Sequence, residues 1–327
     1  MRILITHVVG IVLAISLGDV AAQRVSAEQY PAKPIRLIVP LAPGGGTDII
    51  ARAISQGLGQ AWNHPVVTDN RPGAAGNIAA DIVAKADPDG YTLLLIYFGH
   101  AISAAYPNRK LSYDLMKDLT PVTLVTRQAY FLVINPDVPA RSVSELIALA
   151  KAKPGALNYG SSGTGGGNHL MSALFTSLAG VNIVHVPYKG GAPALTAVVG
   201  GQIEMMFSSL LLARAQLNAG RLRMLAVTTA QRSRAAPDIP TLQESGVPGY
   251  EVSGWFGVSA PANTPRAIIV KLNQEIARLM QKAELADRLL ASAVEPVGNT
   301  PEQFGEFLKV EIVKWAKAIR DAGVRAD

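Results

Sequence analysis

Two glycine-rich segments constrain this chain more than anything else in it, because each joins a strand-like apolar run to an amphipathic one. The first, Pro43-Gly44-Gly45-Gly46-Thr47-Asp48, follows Ile35-Arg36-Leu37-Ile38-Val39-Pro40. The second, Ser161-Ser162-Gly163-Thr164-Gly165-Gly166-Gly167, follows Leu157-Asn158-Tyr159. A strand that turns through glycine into a helix is the repeating unit of α/β folds. The helix N-terminus formed this way offers unpaired N–H groups and a partial positive charge, which suits an anion. Two such ends in separate parts of the chain predict two lobes that grip one anionic ligand. That is the design of a binding protein before it is that of an enzyme.

The rest of the periodicity agrees. After the first loop, Ile50, Ile54, Leu58 and Trp62 recur at helical spacing, with Thr47 as the expected N-cap and Asp48 as a favourable first-turn anion. A short strand at 66–68, a helix at 78–86 and an apolar strand at 91–98 complete an alternation that predicts a mostly parallel sheet covered by helices. A second block, from about 127 to 227, repeats the layout, with a capping box at Ser142 and Glu145. In its second glycine-loop helix, Leu170, Leu174 and Leu178 form the stripe, and Gly180 ends it. The tail differs. Thr241 with Glu244 reads as another capping box, and Thr264-Pro265 and Thr300-Pro301-Glu302-Gln303 read as helix starts. The apolar stripe Leu308, Ile312, Trp315 and Ile319 needs a partner, and the first lobe is the expected one. The domains expected are therefore a leader at 1–27, a discontinuous first lobe at 28–126 plus 228–327, and a second lobe at 127–227.

Composition narrows the function. The chain has no cysteine, which excludes disulfides, thiolate chemistry and a lipid-anchored N-terminal Cys. Its net charge is +6, but Lys and Arg are scattered, with no basic cluster interleaved with aromatics, so nucleic acid is not an expected partner. A mild positive field that attracts small anions is. At the N-terminus, Arg2, an apolar run from 3 to 17 and small residues beyond it read as a secretory signal, cleaved after Ala22 or Ala27. The expected product is exported and free of membrane spans.

The loops match no nucleotide motif. No Gly-Lys-Ser/Thr follows the first loop, and Ile49 stands where a dinucleotide fingerprint requires its third glycine. In the second loop, Ser161, Ser162 and Thr164 place hydroxyls among glycines, a setting for a carboxylate or phosphate. A nucleophilic serine is the alternative, but Gly160-Ser161-Ser162-Gly163 lacks the elbow spacing and His169 has no evident acid partner. His64, His100, His169 and His185 show no ligand spacing, so no metal is expected, and no cofactor either. Tyr188 and Lys189 sit in a glycine-flanked loop and can offer a phenol and an ammonium to an anion, or serve only as a turn.

The ordered motifs resemble one family. Pro40-Leu41-Ala42-Pro43-Gly44-Gly45-Gly46-Thr47-Asp48, Asn70-Arg71-Pro72-Gly73-Ala74-Ala75-Gly76 and Asp87-Pro88-Asp89-Gly90-Tyr91-Thr92-Leu93-Leu94 are similar to segments of the Bug receptors of tripartite tricarboxylate transporters. So are Tyr159-Gly160-Ser161-Ser162-Gly163, His185-Val186-Pro187-Tyr188-Lys189-Gly190-Gly191-Ala192-Pro193-Ala194 and Pro240-Thr241-Leu242-Gln243-Glu244-Ser245-Gly246. The resemblance implies a two-lobed, type II-like periplasmic binding protein, monomeric and non-enzymatic, that closes on a small carboxylate and delivers it to a membrane permease. It implies contacts, partly through water, from Gly44, Gly45, Thr47 and Asp48 in lobe one. In lobe two it implies Ser161, Ser162, Gly163 and Thr164, with His169 nearby. Asp48, an anion itself, is expected to accept hydrogen bonds from water, an ammonium or the loop backbone. Ser208-Ser209 stand where many members place an acid that can meet a ligand amino group, which favours a plain carboxylic acid. Two further readings are a ligand-sensing accessory to a signalling protein and an exported serine hydrolase.

Overall fold

The computed structural model describes residues 29–107 and 110–322. The expected signal segment lies outside the described residues. Two sheets are present, each flanked by helices, and they form the two lobes.

The first sheet begins with β1 (Ile35–Val39), β2 (Val66–Asn70) and β3 (Thr92–Tyr97), which pair in parallel around β1. The intervening helices are α1 (Gly46–Trp62) and α2 (Asn77–Ala84), with α3 (Phe98–Ala105) directly after β3. Ile50, Ile54 and Leu58 of α1 are buried as their spacing predicts. The chain then runs through β4 (Leu119–Gln128) into the second lobe. There it forms β5 (Tyr130–Ile134), α4 (Val143–Ala152), β6 (Asn158–Ser161), α5 (Gly167–Ala179) and β7 (Val184–Pro187). It continues through α6 (Gly191–Val199), β8 (Met205–Ser209), α7 (Leu210–Asn218) and β9 (Arg223–Val227). The return adds β10 (Gly254–Pro261), α8 (Arg266–Met280), α9 (Ala283–Leu290), β11 (Val294–Pro296) and α10 (Pro301–Ala322).

The strand orders are β11-β4-β10-β3-β1-β2 and β7-β6-β8-β5-β9. Both sheets are mixed rather than mostly parallel. β10 inserts antiparallel between β3 and β4, and β11 pairs antiparallel with β4. In the second sheet β5 runs against both β8 and β9. The cause is the double crossing between lobes: β5 and β10, each the first strand after a crossing, run against the βαβ units they join.

Two features tie the crossings together. Tyr130 donates its N–H to Thr228 Oγ1 at 3.1 Å, and the Thr228 N–H returns a bond to the Tyr130 carbonyl at 2.9 Å. The two chain segments between lobes thus form one short hydrogen-bonded ribbon. α10 packs on α3 and β4 of the first sheet, and its Glu311 carboxylate accepts from the buried indoles of Trp255 and Trp315. No described helix is long and apolar enough to cross a membrane.

Candidate functional site

The first glycine loop is shaped by Gly44, at φ +80°, a left-handed conformation that glycine adopts at no steric cost. That turn lets α1 start early. Its N-cap is Gly45, not Thr47, and Thr47 is the second helical residue, buried. No side chain caps the helix, and Asp48 in its first turn reaches back to the loop instead. Asp48 Oδ2 accepts from the Gly44 N–H at 3.0 Å and from Arg52 Nε at 2.8 Å. Burial pushes this carboxyl up. The hydrogen bonds from Arg52, the Gly44 N–H and Asn70, together with the Arg52 charge, outweigh it and hold the group below its ordinary value. Asp48 therefore stays ionised and braces the loop backbone, one of the roles its sequence position allows.

The second loop opens at Ser161, the last residue of β6 and fully buried. Its hydroxyl lies 2.6 Å from His185 Nε2 and accepts from the Gly163 N–H at 3.1 Å. The rings of His185, Tyr159 and His169 form a cluster, with the His185 centroid 5.0 Å from that of Tyr159 and 4.0 Å from that of His169, and those two 6.3 Å apart. His169 Nδ1 in turn accepts from the Gly165 N–H at 2.9 Å. The histidines that show no pairing in the sequence are thus brought together by the parallel register that sets Tyr159 opposite His185. Burial first, and then the neighbouring His169, push His185 down to about 4, so it is neutral at neutral pH. Ser162 donates to Asn168 Oδ1 at 3.2 Å, and Asn168 Nδ2 binds the Phe207 carbonyl, which ties the loop to β8. Gly163 adopts φ +131° and lies against Ala75 of the first lobe. Thr164 is half-buried beside it.

The two loops face each other across a cavity of about 30 Å³. That is room for a water or two at ~10–15 Å³ each. Of the expected residues, Gly45, Thr47 and Ser162 line it, while Gly44, Asp48, Ser161, Gly163, Thr164 and His169 stand behind or beside it. Sequence reasoning missed much of the wall. The first turns of four helices reach the cavity: α1 through Gly46 and Thr47, α5 through Asn168, α6 through Gly191, and α7 through Ser209 and Leu212. Ser209 caps α7 by accepting from the Leu212 N–H at 3.4 Å. The remaining wall is Leu41, Tyr130, Ser208 and Phe256. Among the described residues, no ionised side chain lines this space. A signal for the missing pieces was present: Gly190-Gly191 after β7 and Ser208-Ser209 at the end of β8 repeat the strand-to-helix pattern of the two glycine loops.

The lobes touch around this space. The Ala42 N–H donates to the Lys189 carbonyl at 3.2 Å, so Lys189 contributes its backbone to the contact between lobes. Tyr188 packs into the second lobe's core. A Cβ on Gly167 would fall inside the Phe98 ring, and one on Gly46 would sit 3.2 Å from Ser209 Oγ. This is a closed arrangement.

Comparison with known proteins places this geometry. The model of the tripartite tricarboxylate transporter family receptor matches residues 50–324. The chain belongs to this family. BugT of Bordetella pertussis is 37% identical over 324 residues, covering 97% of this chain and 97% of that protein. Rpa4515 of R. palustris, solved with adipate, is 37% identical and superposes with a TM-score of 0.87, covering 90% and 98% of the two chains. MatC of Rhodopseudomonas palustris, solved with bound malate, is 31% identical with a TM-score of 0.84, covering 89% and 100%. As a Bug-type receptor the chain is a solute-binding protein of a periplasmic family and not an enzyme. The 2.6 Å contact between Ser161 and His185 is accordingly a structural brace of the second loop.

Proposed function

We propose that this protein is exported through its 1–27 segment and, in the periplasm, captures a small organic carboxylate between its lobes for delivery to a membrane permease. The observation that carries the reading is the convergence of four helix N-termini on one cavity with no ionised side chain in its wall. Each terminus contributes unpaired N–H groups and about half a positive charge, so together they favour an anion without a salt bridge. Thr47 and Ser209 add hydroxyl donors, and Ser162 and Ser208, which donate within the second lobe at 3.2 and 3.3 Å, can turn to the ligand. With no carboxylate to meet an ammonium, the ligand is an acid without an amino group, in keeping with the adipate and malate held by two relatives. We place Gly45, Thr47 and Ser162 in contact with it, and Gly44, Asp48, Ser161, Gly163, Thr164 and His169 as the residues that hold those contacts in position.

The cavity is smaller than such an acid, so the lobes part to admit it and stand wider around it than in this arrangement. The lobes divide close to 28–126 plus 228–327 and 127–227. The hinge is the Gln128–Tyr130 and Thr228 ribbon, and the protein acts as a monomer. A thermal-shift screen of the mature protein against mono- and dicarboxylates tests this. A ligand at 100 times its Kd adds ~2.7 kcal/mol of stability, so a binding acid raises the melting temperature by several degrees. If no carboxylate does so, the reading fails.

A further inference from the structure

A second and larger cavity, about 830 Å³, lies at the hinge and shares no residue with the cleft. Three arginines, Arg127, Arg232 and Arg234, line it against one carboxylate, Glu295. Arg232 is already paired with Glu244 at 2.9 Å, and Arg127 lies over the Phe307 ring at 5.0 Å. Among the described residues, neither Arg127 nor Arg234 has a carboxylate partner. The cavity therefore carries an excess of guanidinium charge with planar donors suited to a multiply charged oxyanion.

Its position gives that charge a consequence. Gln128 and Ala129 line the hinge cavity beside Tyr130, which lines the cleft, and Ser253 lines the hinge cavity three residues before Phe256, which lines the cleft. The two spaces thus adjoin the same two segments from different sides. Lobes that rotate about the hinge ribbon to open the cleft in front must approach each other behind it. Behind it, Arg214 of α7 donates to the Ala291 carbonyl, and the Ala129 N–H to the Ala293 carbonyl at 3.1 Å, so the second lobe already abuts the turn between α9 and β11. Opening of the cleft by that rotation would narrow the hinge cavity.

We propose that this cavity is a second binding site, for a compact anion with two or more negative charges, and that its occupancy favours the closed lobes. By linkage, an anion behind the hinge tightens the cleft for its own ligand, and the reverse, by the same factor. Inorganic pyrophosphate is the probe, titrated calorimetrically into the full mature protein and into the Arg127→Gln/Arg234→Gln double variant, at ionic strength matched with chloride. The expected result is one saturable site, weakened at least tenfold in the double variant. Pyrophosphate should also tighten carboxylate binding in the cleft several-fold in the parent and not in the variant. Arg234→Gln alone, at a side chain without an ion pair, repeats the test should loss of the Arg127–Phe307 contact impair folding. Absence of saturable binding overturns the proposal, as does equal binding to parent and variants, which would put pyrophosphate in the cleft or on the general surface. Binding that leaves carboxylate affinity unchanged overturns the coupling. The pyrophosphate titration needs no cleft ligand, so it stands or falls separately from the carboxylate reading.

Discussion

Gly46→Ala separates the closed state from the fold itself. Gly46 is the first residue of α1 and has no positive φ, so alanine fits its backbone. Within the helix the change is neutral to favourable, by up to ~1 kcal/mol on the intrinsic scale. Across the cleft it is unfavourable. The new Cβ sits 3.2 Å from Ser209 Oγ, and that hydroxyl cannot swing away without giving up the cap of α7. Overpacking of this kind costs about 1–3 kcal/mol, and here it falls only on the arrangement in which the lobes meet. Ligand affinity is therefore expected to weaken by about 5- to 150-fold, the factor that corresponds to that energy. The melting temperature of the ligand-free protein should stay level or rise slightly. Titration calorimetry with a carboxylate identified by thermal shift, paired with ligand-free melting curves, reads both quantities. Unchanged affinity would show that Gly46 and Ser209 do not approach this closely around the ligand. A parallel fall in ligand-free stability would show that the contact strains the free protein as well.

Three further outcomes follow from the same geometry. Ser209→Ala removes both a cavity hydroxyl and a helix cap, so it should cost ~1 kcal/mol of stability and weaken binding by an amount typical of a lost bond to a charged group, about 1.5–3 kcal/mol; a change in neither would remove α7 from the site. Ser161→Ala leaves the Gly163 N–H and His185 Nε2 without their shared partner, and should lower stability by about 1–3 kcal/mol, while Thr164→Ala, at a half-buried position, should leave melting nearly unchanged; the opposite ranking contradicts the bracing role of Ser161. His100 and His185 are both held down to about 4, His100 by burial and His185 by burial and then by His169. The unfolded chain takes up these protons near ~6.5, so between those values it holds more protons than the folded chain, and stability rises with pH across the window. Ligand-free melting should be level above neutrality and decline as pH falls from about 6.5 towards 4; a rise on acidification would contradict it.

Much of the fold was legible because it rests on local patterns. The strand-to-helix turns at the two glycine loops and the buried Ile50, Ile54 and Leu58 face depend on neighbours in sequence, and the structure reproduces them. The antiparallel insertion of β10 was not legible, since it depends on where the chain returns after crossing to the second lobe and back. Thr241 and Glu244 do make both bonds of a capping box, at 3.0 and 2.7 Å, yet they close a turn rather than a helix, because Gly246, Pro248 and Gly249 follow too soon. Pro265 likewise caps α8 from outside, whereas Pro301 takes the first helical position as its motif predicts. In the site, the glycines of the first loop were readable, but Asp48's partners were not, because a carboxylate at the third helical position can turn outward or backward with equal ease. Ser208-Ser209 are legible only for the acid they replace, not as the start of α7, because the short helices α6 and α7 carry no long apolar stripe.

The central claim is that the cleft recognises a negative charge through helix N-termini and hydroxyls. It is tested most directly by calorimetric titration of one binding carboxylic acid beside its own primary amide, which keeps size and shape and removes the charge. Strong one-to-one binding of the acid, with the amide weaker by at least a hundredfold, is the result predicted here. Equal affinity for the two would show that the converging helix ends do not select the ligand's charge, and the account would fail.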